Sequence, residues 1–389
     1  MLAFKLAFKN LFGAGLRTWL NVTVLSIAFV IIVFYNGMLD GWNKQARHDT
    51  KEWEIASGQL WHPLYDPYDS YCLLDAHEKV SEKVQKDIDK GELLPLLITQ
   101  ATAYPKGRMI NVLLKGIEKN QKIIKIPTDK MDFKEGNIPA VIGKRMAASN
   151  GLKKGDNLLI RWRDANGTFD AKEITIVDVF RCNVPAVDNN QIWLPIDVLR
   201  DMTDLPDEAT ILIAGDSFNK QNIDKWVFKD ETFLLKEIDE IIKAKKASSS
   251  IISILLLAIA LLAIFDTQIL SIFRRQKEIG TYIALGMTRS RVIRIFTIEG
   301  SAHSILAIAL GILWGAPLLG YLQKTGIPMP SVADSTGVAI SDSIIPYYSM
   351  GLIIGSVLLI IISATIVSYF PTRRISKMKP TEALKGKLI

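Results

Sequence analysis

Three ionisable side chains stand inside apolar runs of this chain: Asp266 within 251–273, and Glu299 and His303 within 295–322. A carboxylate at the centre of a membrane-spanning helix costs about 2.5–3.5 kcal/mol on an insertion scale, so such groups mark functional candidates by default. Asp266 lies eight residues before Arg274, and Glu299 and His303 lie five and nine after Arg294. At ~1.5 Å per residue all three reach a comparable depth near one membrane face. Glu299 and His303 also share a helix face at i, i+4. The expectation is a polar cluster that links two helices and carries movement between them; the plainer alternative is that each group snorkels or binds water at the interface. Other chemistry has little material. The chain holds four His and two Cys, with no CxxC or Cys/His cluster for a metal and no nucleophile–base constellation, so no catalytic residue and no metal ligand is assigned. No G-x-x-x-x-G-K-[ST] stretch is present, hence no loop that cradles nucleotide phosphates.

The segment joining those two runs, Arg274 to Gly300, is helix-forming and basic. Gly280 and Gly286 are expected to break it into short pieces, and Thr288 to cap the helix that enters the next run. A short amphipathic helix held at a membrane surface presents charge and a few apolar knobs to a soluble partner; by composition alone it is also compatible with an ordinary basic loop.

Elements that could hold these groups follow from the apolar pattern. Of 389 residues 49% are hydrophobic, and they collect into four runs, 18–39, 251–273, 295–322 and 347–370, each at or above the ~20 residues a helix needs to cross ~30 Å of hydrocarbon. Lys and Arg are retained on the cytoplasmic side. Lys5, Lys9 and Arg17 precede the first run, six basic residues separate the second from the third, and Arg373, Arg374, Lys377, Lys379, Lys385 and Lys387 follow the fourth. Residues 1–42 carry +2 and 247–389 carry +7, which leaves −2 for 43–246 within the total of +7. The basic balance is therefore a topology signal, and nucleic acid is not an expected partner. No small-x-small cleavage site closely follows the first run, so it reads as an uncleaved anchor. The layout is a cytoplasmic elbow helix (1–17), a first span (18–42), an inserted domain (43–246), a second span (247–273), a cytoplasmic coupling helix (274–294), a third span (295–322), a short outer loop (323–346), a fourth span (347–370) and a cytoplasmic tail (371–389).

Between the first two spans the pattern is that of a mixed α/β domain, with two subdomains and no readable boundary between them. Residues 157–163 and 169–180 flank Asp164-Ala165-Asn166-Gly167, whose Asn-Gly is a strong hairpin signal. Helices are expected over 80–90 and 195–202, and strands over 93–99, 109–114, 141–142 and 209–214. From about Glu231 the helical pattern runs unbroken into the second span. The first span likewise continues toward Trp53, with Gly41 weakening it. Cys72 and Cys182 fall in the inserted domain, where both one disulfide and two free thiols are open. Trp61 to Tyr71 is an aromatic-rich loop, suited to gripping an acyl chain or a partner but more commonly a packed loop of the domain.

Lys277-Glu278-Ile279-Gly280, followed by Ala284-Leu285-Gly286-Met287 and Glu299-Gly300, resembles the coupling-helix motif of the FtsX-like permeases of ABC transporters, the family of LolC/LolE and MacB-type permeases. Tyr369-Phe370-Pro371 and the stretch from Ile375 to Leu384 resemble its closing motif. Val141-Ile142-Gly143, Met146-Ala147 and Gly151 to Asp156 are similar to its MacB-like periplasmic core domain. The resemblance implies a four-span permease half that dimerises with a second copy or a paralogue. It also implies a separate ABC ATPase that carries the ATP and Mg, so that this chain is no enzyme and binds no cofactor. Lys277, Glu278, Ile279, Gly280, Ala284, Leu285, Gly286 and Met287 would be the ATPase-coupling residues. Membrane lipids and a periplasmic carrier or adaptor would be further partners, in a bacterial inner membrane. Lipoprotein release is the leading implication; MacB-like efflux and FtsX-like control of a cell-wall hydrolase are the alternatives.

Overall fold

The computed structural model describes residues 16–132, 137–328 and 343–375. The elbow helix and most of the closing motif lie outside these residues. The described chain divides into two units, one of 43–240 with the neighbouring end of the outer loop, the other of 16–42, 241–327 and 344–375.

Helix α1 runs over Leu16–Thr50 without a break at Gly41 and closes in a π-helical turn, Lys51–Ile55. A Cβ at Gly41 would overlap the Ile345 carbonyl, so this glycine serves a close approach of backbones rather than a helix end. The turn ends at Ala56 in an unusual conformation, φ 45° and ψ −121°.

The inserted domain then follows as β1 (Gly58–Trp61), β2 (Glu78–Lys79), α2 (Glu82–Asp89), β3 (Leu93–Ala103), β4 (Ile110–Ile117), β5 (Ile138–Gly143), α3 (Lys144–Asn150), β6 (Asn157–Arg163), β7 (Phe169–Phe180), α4 (Pro185–Asp188), β8 (Gln191–Pro195), α5 (Ile196–Thr203), β9 (Glu208–Ala209), β10 (Ile211–Ala214), β11 (Val227–Lys229) and α6 (Glu231–Leu234). Nine strands form one sheet in the order β11-β1-β10-β3-β4-β8-β5-β7-β6, and β6 pairs again with β3. The six strands from β3 to β6 thereby close on themselves. Alternation along β6 shows the consequence: Leu158, Ile160 and Trp162 point inward, and their neighbours are exposed. They pack with Leu97, Leu114, Ile142 and Ile192 in one core. Trp162 satisfies its indole by donating to the Met202 carbonyl at 2.6 Å.

The two expected subdomains are thus one continuous sheet with two cores, and the missing boundary has a physical reason. Strand β3 belongs to both. Its first residues, Leu93 to Leu96, pair with β10, and Ala101 to Ala103 pair with β6. The second core gathers Leu60, Leu93, Leu212, Phe218 and Trp226, with Val84 and Ile88 from α2. The hairpin stands where expected, with Thr168 N–H donating to Asp164 Oδ1 at 2.7 Å. Two expectations need correction. The strand expected over 209–214 is two strands separated at Thr210, whose N–H donates to Leu96 O. The helical run from Glu231 is interrupted at Leu235, between α6 and the next helix.

Four helices are long and apolar enough to cross a membrane: α1, α7 (Lys236–Arg274), α9 (Arg289–Thr325) and α10 (Met350–Ile375), with the short α8 (Gln276–Ala284) between α7 and α9. The fourth begins three residues later than expected, at Met350, after a stretch in which Tyr347 N–H donates to the Gly37 carbonyl at 2.8 Å. Phe29, Val30, Val33, Ala260, Ile264, Ala307 and Ala364 form the bundle core. Asn21 reaches across to Thr267 Oγ1 at 2.5 Å, and Trp314 Nε1 donates to Ser26 Oγ at 2.8 Å. Ile254, Ile259, Leu262, Leu358, Ile362 and Ile366 remain exposed, as lipid-facing residues should be.

Cys72 and Cys182 are both free thiols. Burial pushes the Cys182 thiol up to about 12. Each sulfur is engaged locally instead: Asp66 N–H donates to Cys72 Sγ, and Val184 N–H to Cys182 Sγ.

Candidate functional site

The strongest polar arrangement near a span end is centred on Arg275, the residue between α7 and α8. Its Nη1 donates to both carboxylate oxygens of Glu299, at 3.0 and 2.9 Å, and its Nε donates to Glu278 Oε2 at 2.8 Å. The guanidinium also lies over the Phe296 ring, 4.8 Å from the centroid. Glu299 and Phe296 are one turn apart on α9 and both are buried. A planar fork that meets one carboxylate through Nη1, a second through Nε and an aromatic ring with its face is a demand that Arg satisfies and Lys does not.

Below this polar joint sits a small apolar one. Ile279 of α8 packs with Ile272, Val292 and Phe296, and Tyr282, Ile283 and Met287 close around them. Apolar residues at 279, 282 and 283 therefore turn to the bundle, and Lys277, Glu278, Thr281 and Ala284 stay exposed. Gly280 is buried inside α8 and does not break it, contrary to expectation. Gly286 does: at φ +90° it reverses the chain, with Met287 N–H donating to the Tyr282 carbonyl at 3.0 Å. Thr288 has the extended backbone of an N-cap but makes no side-chain cap hydrogen bond. Leu285, just before the reversal, is 81% exposed. Among the eight motif residues, Ile279, Gly280 and Met287 thus serve the fold locally, and Lys277, Glu278, Ala284, Leu285 and Gly286 form an outward face.

The expected cluster of Asp266, Glu299 and His303 is not assembled as such. Asp266 is exposed on α7. Glu299 is neutralised by Arg275, and the buried His303 ring contacts the Glu299 and Gly300 carbonyls of its own helix at 3.2 and 3.3 Å. The helix crossing that Asp266 was expected to make is made two residues on, by Gln268. A Cβ at Gly300 would come within 2.9 Å of Gln268 Nε2 and would overlap Ser368 Oγ, so α7, α9 and α10 meet where α9 has no side chain. Small residues that let helices approach this closely are the usual device of membrane bundles.

Arg275 was missed as a hub because its partner lies 24 residues away. One signal could have found it: a buried acid at Glu299 requires a cation within reach, and Arg275 stands where α7 must turn back toward α9.

The described residues form a bundle of helices long and apolar enough to span a membrane, with a large α/β domain inserted after the first and a short helix docked against the start of the third. Residues 250–380 match the model of the FtsX-like permease C-terminal domain. The chain is 24% identical over 323 residues to the lipoprotein-releasing system transmembrane protein LolC of Neisseria meningitidis, covering 75% of this chain and 77% of that one. An uncharacterized ABC transporter permease of Methanocaldococcus jannaschii is 26% identical over 170 residues, covering 41% of this chain and 39% of that one. Among solved structures, the extracellular domain of the noncanonic ABC-type transporter YknZ from Gram-positive bacteria is 13% identical with a TM-score of 0.26, over 41% of this chain and 83% of that one. Residues 250–380 thus carry an FtsX-like permease C-terminal domain, and both relatives support the same family of ABC transporter permeases.

Proposed function

We propose that this chain is the permease subunit through which a separate ATPase drives work in the inserted domain on the far side of a bacterial inner membrane. The leading substrate class is acylated lipoprotein released from that membrane. The observation that carries the coupling role is the α8 arrangement: an exposed tip at Leu285 and an outward face at Lys277, Glu278 and Ala284, rigidly tied to α9 through Arg275 and Glu299. A groove on an ATPase that grips such a tip would move α9 directly, because packed helices shift as bodies rather than deform. Asp266 and His303 have no part in that joint; His303 would stiffen α9 locally. The ATP and Mg would sit on the ATPase, since this sequence has no phosphate-cradling loop of the P-loop type. The permease would act with a second copy or a paralogue, and a soluble carrier would receive the substrate.

Lipoprotein release is favoured over efflux by the relative named for it, which aligns over three quarters of this chain. The test is purification of the complex from native membranes in detergent, with this chain tagged, and mass spectrometry of what copurifies. An ATPase with triacylated lipoproteins supports release. An ATPase with an adaptor or a cell-wall hydrolase, and no lipoproteins, overturns it in favour of efflux or regulation.

A further inference from the structure

Near the end of α1 the buried residues are Leu39, Trp42, Ala46 and Thr50, and near the start of α7 they are Ile242 and Ser249, with Leu235 just before. Seven-residue steps recur in both sets, 39 to 46 and 235 to 242 to 249. That spacing marks a seam along one helix face, as in a two-stranded coiled coil. Charges flank each seam one heptad apart, and in chain order they run acid then base on both helices: Asp40 and Arg47 on α1, Asp239 and Lys246 on α7.

For helices running in opposite directions, equal order means opposite charges face each other. Within the four-helix unit, Lys246 Nζ pairs with Asp40 Oδ1 at 2.6 Å. Within the inserted domain, Arg47 Nη1 meets both oxygens of Asp239, at 2.8 and 2.9 Å. Outside that series, Glu231 of α6 takes Lys51 Nζ at 3.4 Å and Arg47 Nη2 at 3.7 Å. From the first pair to the second, the contact moves seven residues on along α1 and seven back along α7. A register one heptad off is penalised. A slip of one heptad, about 10 Å of helix, sets Asp40 against Asp239 in one direction and Arg47 against Lys246 in the other. Like charges in apposition disfavour the slipped registers, and the attractive pairs favour the right one.

We propose that α1 and α7 are keyed into a single register by this charge pattern, so that they tilt or turn together and do not slide past each other. What drives the pair rests on the transporter reading above; the keying does not. The consequence for mechanism is specific: a stroke begun at α8 leaves the bundle as a movement of a two-helix rod, and a piston-like sliding of α7 alone is excluded.

Crosslinking in native membranes tests it, in the full chain carrying Cys72→Ser and Cys182→Ala. Lys44 and Lys243 are exposed positions between the two ion pairs, and Lys44→Cys with Lys243→Cys leaves all four charges in place. Lys44→Cys with Ser250→Cys, or with Lys236→Cys, reports a register shifted by one heptad. With a crosslinker of reach shorter than the ~10 Å shift, the 44/243 pair is expected to react equally, within about twofold, without nucleotide, with ATP and after vanadate trapping. The shifted pairs are expected below a tenth of that yield. In the same assay Arg47→Asp lowers the 44/243 yield at least fivefold, and adding Asp239→Arg restores it. A shifted pair that gains yield in any state overturns the proposal. So does an Arg47→Asp variant with undiminished yield, or a swap that fails to restore it. Absence of any copurifying ATPase would sink the transporter reading instead, and leaves the nucleotide-free crosslinking result to stand or fall alone.

Discussion

Replacing Arg275 by Ala isolates the joint between α8 and α9. The substitution removes a two-bond contact to Glu299, one bond to Glu278 and the guanidinium over Phe296. The side chains of Arg275 and Glu299 are 22% and 11% exposed, so the pair is mostly but not wholly shielded from water. Breaking a fully buried pair costs about 3–5 kcal/mol, because the remaining charge is left uncompensated; partial exposure and water access at a helix end bring this to about 2–3 kcal/mol. At ~1.4 kcal/mol per decade, that shifts the docked-to-undocked equilibrium of α8 by roughly 30- to 150-fold. Arg275→Lys keeps the charge but cannot form the fork, and recovers less than half of the loss. Two readouts follow. Trypsin cleavage after Lys277, in vesicles with the cytoplasmic face outward, accelerates in Arg275→Ala at least tenfold. Substrate-stimulated ATP turnover falls toward the basal rate, with basal turnover retained. Glu299→Gln together with Arg275→Met leaves no orphan charge and is milder than either single change by at least about 1 kcal/mol. An Arg275→Ala protein with native protease resistance and full stimulation would refute the joint, and with it the claim that α8 and α9 move as one.

Leu285→Asp puts a charge on the exposed tip without touching the α8 core, so the ATPase is expected to dissociate at least tenfold more readily while the permease keeps its thermal stability; this is measured by retention of the ATPase on tagged permease and by unfolding in detergent. Gly300→Leu overpacks the point where Gln268 and Ser368 close on α9, and a loss of about 1–3 kcal/mol or more in bundle stability is expected. Ser368→Gly should return part of it, and absence of any rescue would mean the crossing is looser than described. Lys115 is buried in β4, where its Nζ donates to the Ala186 carbonyl at 3.1 Å and lies 5.0 Å from the Trp193 ring centroid. Burial holds its pKa below the ordinary lysine value, with the Glu54 carboxyl opposing that. Lys115→Ala leaves a cavity and an unpaired carbonyl, expected to cost about 2–4 kcal/mol, and Lys115→Met, which refills the space, less than half as much; equal losses in thermal unfolding of the whole protein would assign the effect to charge alone.

How much of this was legible without coordinates depended on the range of the interactions involved. The four apolar runs and the 157–163/169–180 hairpin follow from contiguous patterns, an apolar run or an Asn-Gly between alternating strands; each run falls in a helix long and apolar enough to cross a membrane, with other limits than expected, and the hairpin pairs over the expected residues. Strand limits are set by partners instead. Strand β3 extends to Ala103, past the expected Thr99, because β4 and β6 supply pairing for Gln100 to Ala103. Gly280 misleads for a related reason. Its helix propensity is poor, but burial against the bundle outweighs a cost of about 1 kcal/mol, whereas Gly286 ends the helix through a positive φ that no neighbour overrides. In the site, the right acid was singled out with the wrong partner: equal depth along a helix axis says nothing about azimuth, and Asp266 lies on an outward face of α7, with Gln268 on the face toward α9.

The partner of Glu299 has a wider implication for what an intramembrane acid does in such a protein. A lone carboxylate among apolar helices would carry a pathway for protons or ions. A carboxylate held by two bonds from an arginine, with an aromatic ring on the guanidinium face, has both oxygens occupied. Its contribution is positional: it fixes the angle at which α8 meets α9. The same logic distinguishes Glu299→Gln from Glu299→Asp. The amide keeps the length and one acceptor but loses the charge; the shorter acid keeps the charge and draws α8 out of position by about one methylene. If the joint is geometric, Glu299→Asp impairs coupled turnover as much as Glu299→Gln does. If the acid carries charge or protons through the bundle, Glu299→Asp is tolerated and Glu299→Gln alone is inactive, and coupled ATPase assays of the two variants side by side decide between them.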